Sequence, residues 1–164
     1  MNEHHDLIIN LSAELPCSQD RAFDFFTDGV LLQEWLCNKA IVELTTAGKY
    51  ELYWNPDDPD PSNDSTWGCK ILAFERGKFL HVEWRGNAAQ KHYMNTVRPL
   101  TQVTVMFFRI DAAKTKVILL HTGWRQGQDW ESARQYFIQA WTGALEQLEH
   151  LAGQNSLSPY QAPR

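Results

Sequence analysis

The sequence predicts an α+β fold: a curved antiparallel sheet of about six to seven strands wrapped around one long C-terminal helix, with two short helices after the first strand. Three observations predict it. Apolar and polar residues alternate over residues 7–15 and again in several later segments, which is the period of half-buried strands. Those later segments follow one another at short spacing, as in a meander linked by hairpins. From residue 130 to residue 151 the period changes to three and four, the mark of a helix with one apolar face.

In chain order, Leu7, Ile9, Leu11, Ala13 and Leu15 share one face of the first strand, and Pro16 closes it. Ser18 is placed to cap a short helix carrying Ala22, Phe25 and Phe26, and Asp28 to cap a second that ends at Trp35 and Leu36. Both are too brief to persist without packing on something larger. A strand over 48–54 sets Tyr50, Leu52 and Trp54 against Lys49, Glu51 and Tyr53. A strand over 67–75 follows, whose inward face the pattern leaves open, then one over 79–85 with Leu80, Val82 and Trp84 inward. Strands over 102–111 and 116–124 are joined by a tight turn at 111–115. The closing helix is expected to run unbroken from 128 to about 151, with Trp130, Ala133, Phe137, Ala140, Trp141, Ala144, Leu148 and Leu151 on its inner face. From Trp130 it would span about 33 Å, enough to cross the sheet. Asp129 and Glu131 suit its positive end, and Gly153 suits its stop. Residues 1–153 read as one domain and 154–164 as a flexible tail.

Composition narrows the partners. The 164 residues carry a net charge of −5, which argues against a nucleic-acid footprint and against docking on acidic lipid. No apolar run approaches the ~20 residues of a membrane span, and residues 1–6 lack the apolar core of a signal peptide. Cys17, Cys37 and Cys69 are too far apart for a CxxC pair, so a reducing cytoplasm is the expected location. No cofactor is expected. The acidic run over 55–64 tempts a calcium reading, but counting from Asp58 puts Asn63 where a glycine belongs and Cys69 where a closing glutamate belongs; it reads instead as an exposed hairpin loop. His4, His5 and Asp6 have nothing to order them around a metal, so no metal site is expected.

Seven tryptophans among an aromatic share of 12% exceed what routine packing needs. A curved sheet that meets a straight helix along part of its length leaves a gap, and gaps lined by rings are common ligand sites. Trp54, Trp84, Val105, Phe107, His121, Phe137 and Trp141 are the residues expected to line it, with plain core packing as the competing account of the rings. His121 shares a strand face with Val117 and Leu119. It is either a polar anchor or base in the cavity, or a buried histidine hydrogen-bonded to neighbouring backbone, and the second is preferred. No nucleophile can be paired with it from sequence.

Several blocks also carry a resemblance: Ala13–Pro16, Phe23 to Trp35 with Thr27–Asp28, Gly48–Leu52, Ser65–Leu72, Leu80–Trp84 and Val117–Trp124. The strongest is His121–Trp124 with Gly127, Trp130, Tyr136–Phe137 and Ala140–Trp141. Over residues 7–152 the chain resembles the START-like (helix-grip) superfamily, and within it proteins similar to the activator of the 90-kDa heat-shock protein ATPase. The resemblance implies a helix-grip domain with a stress or chaperone role and no shared catalytic set. Eukaryotic activators carry in addition a separate N-terminal chaperone-binding domain, for which this chain has no room. The expected function is to bind a small lipophilic ligand. The alternatives are a co-chaperone-like protein acting through its surface on a chaperone or another protein, and an enzyme of the cyclase or hydratase kind using His121 and a carboxylate.

Overall fold

A computed structural model describes residues 7–157. Strand β1 (Ile9–Leu15) leads into helices α1 (Gln19–Thr27) and α2 (Gly29–Trp35). Strands β2 (Lys39–Val42), β3 (Tyr50–Tyr53), β4 (Ile71–Glu75) and β5 (Phe79–Trp84) follow, then the short helix α3 (Lys91–Met94), strands β6 (Thr101–Asp111) and β7 (Lys114–Thr122), and helix α4 (Gln128–Leu157). Five strands form one antiparallel sheet in the order β1-β7-β6-β5-β4, and β2 pairs with β3. The two pieces are continuous in hydrogen bonding, because Tyr50 N–H donates to the Cys69 carbonyl and Thr66 N–H to the Leu52 carbonyl, each at 2.9 Å. The result is the curved sheet and long closing helix of the helix-grip fold. No helix among the described residues is long and apolar enough to cross a membrane.

Register explains the core. Ile9, His121, Val103, Val82 and Ile71 stand opposite one another in a row that crosses all five strands. Side chains in one such row point to the same face, so a single alternation repeated in five strands builds a continuous apolar wall. All five are at most 2% exposed. Onto that wall α4 presents Trp130, Ala133, Phe137, Trp141, Leu145, Leu148 and Ala152, all buried and spaced by three and four. Both predicted caps form: Ser18 Oγ accepts from Arg21 N–H at 3.2 Å, and Asp28 Oδ1 accepts from Val30 N–H at 2.9 Å.

Five sequence expectations change. The strand expected over 67–75 starts only at Ile71, because Gly68 adopts φ +81° and Cys69 N–H closes a turn onto the Thr66 carbonyl. Glu51, expected to face outward, is buried under that turn, where its carboxylate accepts from Gly68 N–H at 2.9 Å and from the Tyr53 hydroxyl at 3.1 Å. Ala140 is exposed, since Leu145 and Ala152 rather than Ala140 complete the inner face of α4. Gly153 does not end α4, which runs on to Leu157, so residues 154–157 of the expected tail are helical. Strand β2 and helix α3, four residues each, were not anticipated. His4 and His5 and residues 158–164 lie outside the described residues.

Candidate functional site

The inner helix face decides where the sheet and α4 separate. Trp141 fills the space beneath the helix, but the adjoining positions Ala140, Gly143 and Ala144 are small, and beside them lies a groove of about 560 Å³. Its other walls come from the end of α2 (Trp35, Leu36), the exit of β3 (Trp54, Asn55) and the exit of β5 (Trp84, Arg85, Asn87). Four of the seven tryptophans line it. Trp84 is central: its ring centroid lies 6.1 Å from that of Trp54 at 65°, and 5.0 Å from that of Trp141 at 51°. Rings inclined in this way form a corner of aromatic surface rather than a flat stack.

Behind the corner a hydrogen-bond chain fixes the rings. Trp141 Nε1–H donates to His121 Nδ1 at 3.2 Å. With that nitrogen accepting, Nε2–H of a neutral imidazole donates to Thr101 Oγ1 at 3.0 Å, and the Thr101 hydroxyl donates to the Trp84 carbonyl at 3.1 Å. The chain therefore ties α4 to β7, β6 and β5. Burial pushes the His121 pKa down to about 3. Geometry agrees, because a proton on Nδ1 would set donor against donor at Trp141. His121 is a structural strut held in its neutral form.

Of the seven residues expected to line the cavity, Trp54, Trp84, Phe137 and Trp141 line the groove. Val105, Phe107 and His121 do not. Phe107 is covered by Phe23 and Phe26 of α1, each ring centroid 5.7 Å away and near edge-on, and Val105 is buried in the same wall at 1% exposure. His121 is fully buried, satisfied by side chains where backbone partners were expected.

The structure adds polar groups that strand periodicity did not reveal. Asp64 lines the groove with φ +47°, its carbonyl accepting from Trp54 N–H at 3.0 Å and its Oδ1 from Ala88 N–H at 3.1 Å. The first bond closes the loop expected over 55–64, and the second ties it to the segment that follows β5. Arg85 also lines the groove, but its guanidinium donates to the Trp67 carbonyl and lies 5.7 Å over the Trp67 ring. Within the loop, Asp60 bonds Ser62 and Lys91, and these hold its carboxyl down to about 2. Among the described residues, no group of three or more His, Cys, Asp or Glu is placed to hold a metal ion. Burial pushes the Cys17 and Cys37 thiols up to about 11 and raises Cys69 further, the opposite of activation for nucleophilic attack. What the groove offers is apolar desolvation with a few polar groups at its rim.

A profile of the family described as Activator of Hsp90 ATPase homolog 1-like protein matches residues 16–153. No curated protein matches. Among solved structures, a Mesorhizobium loti protein is similar with a TM-score of 0.68 at 20% identity, covering 90% of this chain and 97% of that one. An HSP90 activator from Plasmodium falciparum is similar with a TM-score of 0.68 at 18% identity, covering 89% and 96%. The Aha1 dimer from Colwellia psychrerythraea gives a TM-score of 0.63 at 15% identity, covering 87% and 92%. At these identities the likeness shows the fold.

Proposed function

The chain belongs to the Activator of Hsp90 ATPase homolog 1-like family, and from that premise we propose that it binds a small lipophilic ligand in the groove beside α4. The supporting observation is the groove itself: about 560 Å³ of space against four tryptophans, Phe137 and a run of small helix residues. The volume suits a ligand of ordinary small-molecule size. Burying about 200 Å² of apolar surface at ~25 cal/mol per Å² is worth about 5 kcal/mol before association costs, which corresponds to a dissociation constant of about 0.2 mM or weaker. The polar contact that orients the ligand is assigned to Asp64 or its rim neighbours rather than to His121. Its three cysteines are free, two of them buried, which suits the reducing cytoplasm to which we assign the chain.

The seven indole N–H groups make the test residue-specific. In a ¹⁵N-labelled sample titrated with 4-phenylbutanol, the indole signals of Trp35, Trp54, Trp84 and Trp141 should shift while that of Trp67, outside the groove, stays in place. Signals that do not move, or a response centred on Trp67, would refute the reading. A second reading is favoured by the likeness to the Plasmodium HSP90 activator and by Trp67, which is 44% exposed and outside the groove: the outer surface docks a protein partner. Stimulation of a 90-kDa chaperone's ATPase by this chain, lost on replacing Trp67 with Ser, would establish it.

A further inference from the structure

Two of the residues that line the groove carry charge, Asp64 and Arg85, and they are disposed differently. The Arg85 guanidinium is engaged on the carbonyl and ring of Trp67, a residue that does not line the groove. Asp64 is in no ion pair among the described residues, and its described bonds use the carbonyl and Oδ1. A groove lined by one carboxylate and several inclined indoles resembles, in its chemistry, the surroundings that hold ammonium groups, since the ring quadrupole and the carboxylate both attract a cation. The net charge of −5 adds a long-range field of the same sign. An anionic head group would meet the Asp64 charge with no committed counter-ion, and desolvating it there is unfavourable.

We infer that the groove selects the charge of its ligand: it takes lipophilic amines or quaternary ammonium compounds, with the cationic head at Asp64 and the tryptophan corner, and rejects fatty-acid-like anions. This rests on the proposal that the groove binds lipophilic molecules at all, and the test separates the two. Three probes share one hydrocarbon and differ at the terminus: 4-phenylbutyltrimethylammonium, 4-phenylbutanol and 4-phenylbutyrate. Their affinities are read from the indole signals at low ionic strength, where the charge terms are least screened.

The cation should bind about tenfold more tightly than the alcohol, and the anion about tenfold more weakly or not at all. Asp64→Asn is the decisive variant. Asn keeps an oxygen for the Ala88 N–H and tolerates the left-handed backbone, so the loop is retained. It should bring the cation and alcohol affinities within about twofold of each other, chiefly by weakening the cation. Arg85→Gln should leave the preference for cations intact. Equal affinities for all three probes, or tightest binding of the anion, would overturn the inference while leaving the lipophilic groove standing. If Arg85→Gln rather than Asp64→Asn abolishes discrimination, the charge assignment is wrong. If no probe moves the groove signals, both readings fall together.

Discussion

The inward face of the sheet has two halves that look alike in sequence and behave differently in the molecule. Toward α1, the wall residue Phe107 is sealed by Phe23 and Phe26, with α1 lying directly on the strands. Toward the middle of α4, Trp84 and Trp141 stand at the edge of open space. Both halves consist of aromatic residues at alternating strand positions or helical spacing. The difference lies in what covers them. Three fully buried phenylalanines project from α1, whereas α4 offers Ala140, Gly143 and Ala144 beside its apolar stripe. A ring in this wall borders open space only where the opposing element is short of side-chain volume.

The sealed half should fail first when it is cut. Phe23 is 0% exposed and touches both Phe74 and Phe107, so Phe23→Ala should cost about 3–5 kcal/mol in denaturant unfolding. Any protein that remains folded should keep its groove affinity. A loss under about 1 kcal/mol would mean that α1 does not seal this half of the wall.

Next in size is the strut behind the open half. Trp141→Phe keeps an aromatic ring but leaves His121 Nδ1 without a donor in a buried site, a loss of about 1–3 kcal/mol. The same contact sets a pH dependence. The folded pKa of His121 lies far below its unfolded value, so the stability that depends on neutral His121 is complete above about pH 6.5 and is lost as pH falls from 6.5 toward 3. Between pH 6.5 and 5 the unfolding free energy should fall by about 1 kcal/mol per pH unit at the lower end of that range. Asp60 and Glu131, held down to about 2, act at lower pH and do not obscure this window. Trp141→Phe removes the donor facing Nδ1 but leaves the site buried, so its slope between pH 6.5 and 5 should match that of the native chain. Urea midpoints at pH 7, 6 and 5 measure both effects, and a flat profile in the native chain would show that His121 is not buried in its neutral form.

Most of the frame was legible because it repeats. One alternation carried through five strands, and a three-four spacing carried through α4, leave little freedom in which residues face inward. The four-residue elements β2 and α3 carry too few positions for a period to show, and β2 is half-exposed throughout. Gly153 misled because a glycine at the end of an apolar pattern signals a stop, whereas the chain continues as helix past it. At the site, periodicity found the rings and could not see their cover: Val105, Phe107, Trp54 and Trp84 all satisfy the same inward rule, and α1 lies over only part of the wall. The rim residues Asp64 and Asn87 sit in loops, where no period assigns a face.

Trp54, half-buried at the groove, should show the opposite balance to Phe23. Trp54→Ala should lower 4-phenylbutanol affinity about tenfold while costing about 1–2 kcal/mol of stability. Equal losses at both residues, scaled to their buried area, would erase the distinction between the halves.

The smallest effect discriminates most sharply, because it changes sign. Gly143 lies inside α4 and lines the groove, and a Cβ built on it meets nothing within 4 Å. Glycine in a helix interior costs roughly 0.5–1 kcal/mol relative to alanine, so Gly143→Ala should raise stability by about that amount. The same methyl enters space at the groove wall and should weaken 4-phenylbutanol binding severalfold. Gly153→Ala supplies the control, being also in α4 with nothing within 4 Å of its Cβ, yet outside the groove. It should stabilise by a similar amount and leave binding unchanged. Thermal unfolding and the indole titration on these two variants separate helix propensity from ligand space. If Gly143→Ala stabilises and binding is untouched, the ligand does not use this wall of the groove, and the shortage of side-chain volume along α4 is a packing feature rather than a binding one.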